Sequence, residues 1–414
     1  MGIEIKITMR LLVVAAILGG CGTPSATRGT SATVAPPPTN EQISLVTDRG
    51  VSVIAQSGAT LRVLPRGVAA PDWSAFYTVE PGDTTVVRVI DPATGAERRS
   101  IRVAGRYDLG SAYRVGPTGL SRSGLVLALE ASPSAGRSAF AVVDTRTDMV
   151  KTLSVPGDMT VDVVSDDASS LYLVEHMRDN RYNVRLYDLA IGKLGETPIV
   201  DLKQVELTTP DVVAKGLMAG VYHASVPGRL NGWYFSFYFN PGRTPFVHAL
   251  NVTARYATCI LDVPTGSGPA ATRYWALALA PNGKTLYATN AVQGVVTVYD
   301  AETLERRGTH ELKRSAAAPT ATIDPTTAAV ISPEGYRLYV VAEMGIVVVD
   351  TATLGLKAQL VPDRAVRSIA LSADGRRLYA LSLDGTTVWA LDAMSGQPLA
   401  TLAVPLASSI ARVR

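Results

Sequence analysis

The chain has 414 residues, 47% of them hydrophobic and 18% charged, with 39 basic against 36 acidic side chains and a formal net charge of +3. That much apolar material fills at least one large core, and so small a net charge gives no argument for nucleic acid, which is not expected as a partner. Only Cys21 and Cys259 are cysteines, so packing rather than a disulfide framework has to hold the fold.

Lys6 and Arg10 precede an apolar run of eight residues, Leu11 to Leu18. A membrane-spanning helix needs about 20 such residues, so the run reads as a targeting segment. Leu18-Gly19-Gly20-Cys21 resembles the bacterial lipobox. The resemblance implies removal of residues 1–20 as a lipoprotein signal peptide, lipidation of the Cys21 thiol, and an extracytoplasmic protein held at a bacterial cell membrane, in the periplasm or at the cell surface. An ordinary secretory signal with an incidental Cys is the competing reading. With Cys21 acylated, Cys259 has no intramolecular partner; in the strand-like run Tyr256 to Leu261 it reads as a buried, inert thiol.

Residues 21–42 are mostly Thr, Ser, Ala, Gly and Pro, and include Pro36-Pro37-Pro38. Such a stretch cannot bury enough apolar surface to fold, so it reads as a tether with a coil reach of roughly 25 Å.

From residue 43 to 414 the chain repeats itself. Gly283-Lys284-Thr285-Leu286-Tyr287, Gly335-Tyr336-Arg337-Leu338-Tyr339 and Gly375-Arg376-Arg377-Leu378-Tyr379 share Gly-x-x-Leu-Tyr, and Leu171-Tyr172 and Phe76-Tyr77 are weaker copies. Each opens an apolar run, followed by a polar or Gly turn such as Asp384-Gly385 and a second, Val-rich run; short β-branched runs bounded this way are strands. The second runs end at Asp91, Asp144, Asp188, Asn251, Asp300, Asp350 and Asp392, at intervals of 53, 44, 63, 49, 50 and 42 residues. Asp or Asn suits that place because its side chain bonds the backbone two residues on. With a small-residue strand before each Gly-x-x-Leu-Tyr and another after each Asp, the unit has four strands.

Four strands in about 40–50 residues is the sequence mark of a β-propeller. Leu286-Tyr287-Ala288-Thr289-Asn290, with Ala280-Pro281-Asn282-Gly283 and Tyr299-Asp300, resembles the YVTN-type, WD40-like propeller repeats. The likeness is good from Ala270 to Val404 and weaker before that. It implies an all-β propeller and a choice of functions that includes binding proteins, scaffolds and some enzymes.

The ends of the chain set the blade count. Ser44-Leu45-Val46, Val51 to Ile54 and Leu61 to Leu64 read as the last three strands of a blade, and Ser408 to Val413 resembles the innermost strand at Arg367 to Leu371. Pairing the C-terminal strand with the N-terminal three closes the ring, leaves no edge, and gives eight blades. Seven is the alternative if one of the first three copies is incomplete.

The longest interval should hold an insertion, with a short helix over Asp211 to Met218 capped at Pro210-Asp211. It also contains Trp233 to Phe239, six of the chain's 26 aromatics in seven residues. This reads as a strand buried on both faces between blades, or else as an exposed aromatic wall for a partner or glycan.

No metal-ligand spacing links the four histidines, His176, His223, His248 and His310. Gly266 to Ala271 lacks the helix a dinucleotide loop needs, Gly119 to Ser123 lacks the second Gly of a nucleophile elbow, and Asp166-Asp167 lacks calcium-loop spacing. No catalytic residue, metal or cofactor is assigned. Propeller geometry instead points to the face formed by the loops between blades and the hairpins joining the two middle strands. There Arg273, Tyr274, Trp275, Arg364 and Arg367 enter inner strands, and His176, Arg178 and Arg243 lie on hairpins. Together they would make a basic, stacking funnel for an anionic or sugar-like ligand.

Two functions remain open: a membrane-anchored propeller that binds a partner protein, wall polymer or small ligand, and a propeller enzyme of lactonase-like hydrolase type. The loops assigned to the funnel carry mainly Arg, Pro and small residues, with Asp179 and Asp363 as exceptions, which favours binding.

Overall fold

A computed structural model describes residues 40–110, 119–199, 209–239, 244–264, 274–312 and 323–414, without the side chains of 259–261. Cys21, the signal segment, Arg243, Arg273 and the side chain of Cys259, for which the sequence carries expectations, lie outside the described residues. The chain separates into Met1–Pro37 and Pro38–Arg414, and the second unit holds every described strand.

Eight antiparallel sheets, each built around four strands in sequence order, stand in a ring as the blades of a propeller. Blade one is composite: its innermost strand is Ala407–Val413, followed outward by Gln42–Thr47, Gly50–Ala55 and Thr60–Leu64. From innermost to outermost strand, blade two runs from Gly67–Ala69 to Glu97–Ala104, blade three from Asp108–Leu109 to Met149–Pro156, and blade four from Met159–Val164 to Lys193–Leu194. Blade five runs from Val221–Pro227 to Tyr256–Asp262, blade six from Ala276–Leu279 to Arg306–Glu311, blade seven from Ala329–Ile331 to Leu356–Leu360, and blade eight from Val366–Leu371 to Pro398–Ala403. The eightfold count and the closure read from the chain ends both hold.

The core lies between blades, because each sheet buries both faces against its neighbours. The third strands Val295–Asp300 and Ile346–Asp350 are buried along nearly their whole length, whereas outermost strands such as Glu97–Ala104 are mostly exposed and bury only Ile101 and Val103. Middle strands therefore need continuous Val, Ile and aromatics, and outer strands need them only at every other position. The run Trp233–Phe239 is one of these middle strands, buried from Trp233 to Tyr238.

The tyrosine of the repeat has a task the sequence did not disclose: its hydroxyl crosses to the next blade. Tyr172 donates to Val252 O at 2.9 Å and Tyr339 to Ala393 O at 2.8 Å; Val252 and Ala393 directly follow the turn residues Asn251 and Asp392. Tyr77 lies 3.5 Å from Thr145 Oγ1, again directly after a turn acid, while donating to Gly124 O. The turn itself is held by its acid, as in Asp300, whose Oδ1 accepts from Glu302 N at 2.8 Å and Thr303 N at 2.9 Å. A second device recurs seven residues on. Arg98, Arg307 and Lys357, each the unpaired residue of an outermost-strand bulge, pair with Asp91, Asp300 and Asp350.

At the seam, Ile43 faces Val413, and Gln42 and Arg414 exchange backbone hydrogen bonds at 2.8 and 3.0 Å. Glu41 accepts from Tyr379 at 2.5 Å, from Gln56 at 2.8 Å and from Arg377 at 3.3 Å, joining blade eight to blade one.

Candidate functional site

The insertion expected after blade four is present. Its helix, Pro210–Lys215, starts one residue earlier than the sequence suggests, with Thr209 as the cap whose side chain accepts from Val212 N. The fully buried Asn183 ties the insertion to blade four, donating to Val213 O at 3.1 Å and accepting from Leu217 N at 2.9 Å. Arg181 fastens it too, through the carbonyls of Lys215 and Gly216. Beneath the insertion a cavity of about 350 Å³ opens between blades four and five.

Asp162 lies at the inner side of this cavity. In the strand Met159–Val164, Val161 faces Leu173 and Val163 faces Tyr172, so Asp162 is the extra residue of a bulge. A bulge re-aims a side chain that would otherwise follow the strand's alternation. The carboxyl is 7% exposed, and no hydrogen bond or ion pair holds it among the described residues. Burial disfavours the charged form and pushes Asp162 up to about 7. The walls are aromatic. Tyr182 and Tyr238 stack at 5.0 Å, and Tyr222 meets Tyr238 edge-on at 5.5 Å. His176 and Asn180, both exposed, lie at the rim, and His176 Nε2 is 2.9 Å from Thr160 Oγ1.

The inner strands of blades five and eight use the same device. The unpaired residues of their bulges are His223 and Arg367. His223 donates from Nε2 to Trp275 O at 2.9 Å, and burial holds it below its ordinary value. Arg367 donates to Leu383 O at 3.4 Å.

Of the residues expected in a basic funnel, His176 and Arg178 stand together on the middle hairpin of blade four and border an outer vestibule reaching to the helix at Lys215. Arg364 and Arg367 belong to blade eight, half a ring away, where the Arg364 guanidinium sits 4.8 Å over the Trp389 ring. Tyr274 and Trp275 are 1% and 0% exposed, with Trp275 stacked on Phe237 at 5.2 Å, so their faces are committed to the core. Neither Asp162 nor the tyrosine cluster was singled out in the sequence. The available signal was one acid inside the apolar run Met159 to Val164.

On the opposite face, where the first and second strands of each blade turn, two arginines link blades three to six. Arg122 pairs with Asp166 at 3.3 Å and donates to Arg229 O at 3.0 Å, and Arg229 donates to Pro281 O at 2.8 Å. Asp166 also accepts from Ser123 N at 2.6 Å, and Asp167 closes its own turn with Ser165 and Ser169. Among the described residues, no group of three or more His, Cys, Asp or Glu is placed to hold a metal ion.

No protein-family model and no curated relative matches the chain. Solved structures do. A dihydro-heme d1 dehydrogenase, NirN, in complex with DHE is 12% identical at a TM-score of 0.52, covering 94% of this chain and 78% of that one. AztD from Citrobacter koseri is 12% identical at a TM-score of 0.50, covering 89% and 95%. The Pseudomonas aeruginosa periplasmic gluconolactonase PpgL is 18% identical at 0.43, covering 91% and 98%. At these identities the likeness is one of propeller fold, and the fold does not select a reaction.

Proposed function

We propose that the chain is a lipid-anchored, extracytoplasmic propeller of the YVTN repeat type whose body binds a small ligand in the cavity between blades four and five. The observation that carries this reading is the cavity itself: three tyrosines and one unpaired buried carboxyl converge on a space of about 350 Å³. Ligand cavities of about 300–1,000 Å³, mostly apolar with a few placed polar groups, are the usual form of a small-molecule site. Anchoring is supported by Leu18-Gly19-Gly20-Cys21 and the Pro-rich tether after it.

A thermal-shift screen of the full-length protein in detergent tests the binding reading. Ligands should raise the melting temperature of the parent protein and leave Tyr222→Leu unmoved. Ligands that stabilise both equally would place the site elsewhere. Fractionation tests the anchor: Cys21→Ala should leave the membrane fraction, and its retention there would refute lipid anchoring.

A second reading, a lactonase-like hydrolase, is favoured by one feature. A carboxyl that burial pushes up to about 7, in a cavity with a histidine at its rim, is suited to passing protons. Hydrolysis of gluconolactone abolished in Asp162→Asn would establish it; rates equal in parent and variant would refute it.

A further inference from the structure

We infer that the cavity between blades four and five takes a small organic cation, an amine carried on an apolar or aromatic body, with Asp162 as its counter-charge and Tyr182, Tyr222 and Tyr238 as its walls. The inference rests on the reading of this cavity as the binding site, and it assigns the chemical class of the occupant.

Three observations carry it. First, the inner-strand bulge that carries His223 in blade five and Arg367 in blade eight carries an acid in blade four, and it turns that acid out of the strand's alternation. Burying a carboxyl without a partner is costly, and an arriving cation removes that cost. Second, the arginine among the described lining residues is committed elsewhere. Arg181 also lines the cavity, but its guanidinium donates to Lys215 O and Gly216 O. Third, the walls are ring systems whose π faces attract positive charge. An anion would meet both the carboxyl and those faces with the wrong sign. A neutral ligand would gain the rings and leave the acid without a counter-charge.

Three probes sharing one phenyl body separate these cases: phenethylammonium, phenethyl alcohol and phenylpropionate, titrated calorimetrically into the full-length protein in detergent. The ammonium should bind about tenfold more tightly than the alcohol, and the propionate most weakly. Asp162→Asn should bring the ammonium down to the level of the alcohol and leave the alcohol unchanged, while Tyr222→Leu should weaken both. If Asp162→Asn does not fold, the charge series on the unaltered protein decides alone. Alcohol or propionate binding as tightly as the ammonium would overturn the cationic class and leave the cavity as the binding site. No binding of any probe up to about 10 mM, weaker than the millimolar affinity expected of the smallest ligands, would overturn both.

Discussion

Two buried groups set opposing pH dependences on stability, and the opposition is measurable. His248 is 2% exposed, and burial pushes its imidazole down to about 4; Asp162, also buried, is pushed up to about 7. The unfolded chain titrates these groups near about 6.5 and about 3.9, so each group differs by up to about one proton between the folded and unfolded states from about pH 5 to pH 6.5. For His248 the unfolded state carries the extra proton. Its contribution is present above about 6.5 and is lost as pH falls toward 4. For Asp162 the folded state carries the extra proton, so its contribution is lost as pH rises toward 7.

Each proton corresponds to about 1.4 kcal/mol per pH unit, so each group moves stability by about 2 kcal/mol across that window, in opposite directions. His223, also held low by burial, adds to the histidine side. Guanidinium denaturation at several pH values across the window reads the slopes. Asp162→Asn should rise with pH more steeply than the parent, by about 2 kcal/mol over the window, and His248→Gln should lose a rise of the same size. The differences in slope are diagnostic whatever each substitution does to absolute stability. Variants that both run parallel to the parent would refute the burial argument.

Tyr339→Phe removes only the hydroxyl that reaches Ala393 O, and denaturation should show a loss of about 1 kcal/mol with the ring's packing kept. Gly385→Ala should cost about 2 kcal/mol or more, because Gly385 has φ 77° and an added Cβ would meet Ala407 O; an unchanged melting temperature would contradict that close approach. Glu41→Gln removes the charge that holds Arg377 and Tyr379 at the seam and should lower the melting temperature measurably at neutral pH; an unchanged value would contradict that role. The Asp91–Arg98 and Asp350–Lys357 pairs lie on the surface. Arg98→Ala and Lys357→Ala should each leave the melting temperature nearly unchanged at physiological salt.

The architecture was legible because it is written locally and repeatedly. Asp300 caps its turn with its own side chain, and a residue that acts on its next two neighbours can be found by spacing alone. The ring closure was legible for a similar reason, since Ser408 to Val413 has the same small, alternating character as the other inner strands. Partnerships between blades were not. The tyrosines of Gly-x-x-Leu-Tyr stood out in the sequence, but their acceptors lie 54 residues away in the case of Ala393 and 80 in the case of Val252. The cavity was hidden by a further step: a bulge is a change of register, visible only against the partner strand, so Asp162 looked like one acid in a strand. Trp275 shows the converse, since an aromatic beside a loop position resembled a stacking platform until its ring was found against Phe237.

The composite first blade also fixes an order of events during the protein's making. Its second, third and fourth strands are translated first, and its innermost strand, Ala407–Val413, is translated last. While the chain is still emerging, the leading strand Gln42–Thr47 has its outward neighbour but not the inward one, and Glu41 has neither Arg377 nor Tyr379. The ring therefore cannot lock before the strand Ala407–Val413 is free of the ribosome. The same order makes the segment Ala407–Val413 unusually sensitive: without it, every other described strand would be present and the ring would still be open, with one edge of Gln42–Thr47 unpaired.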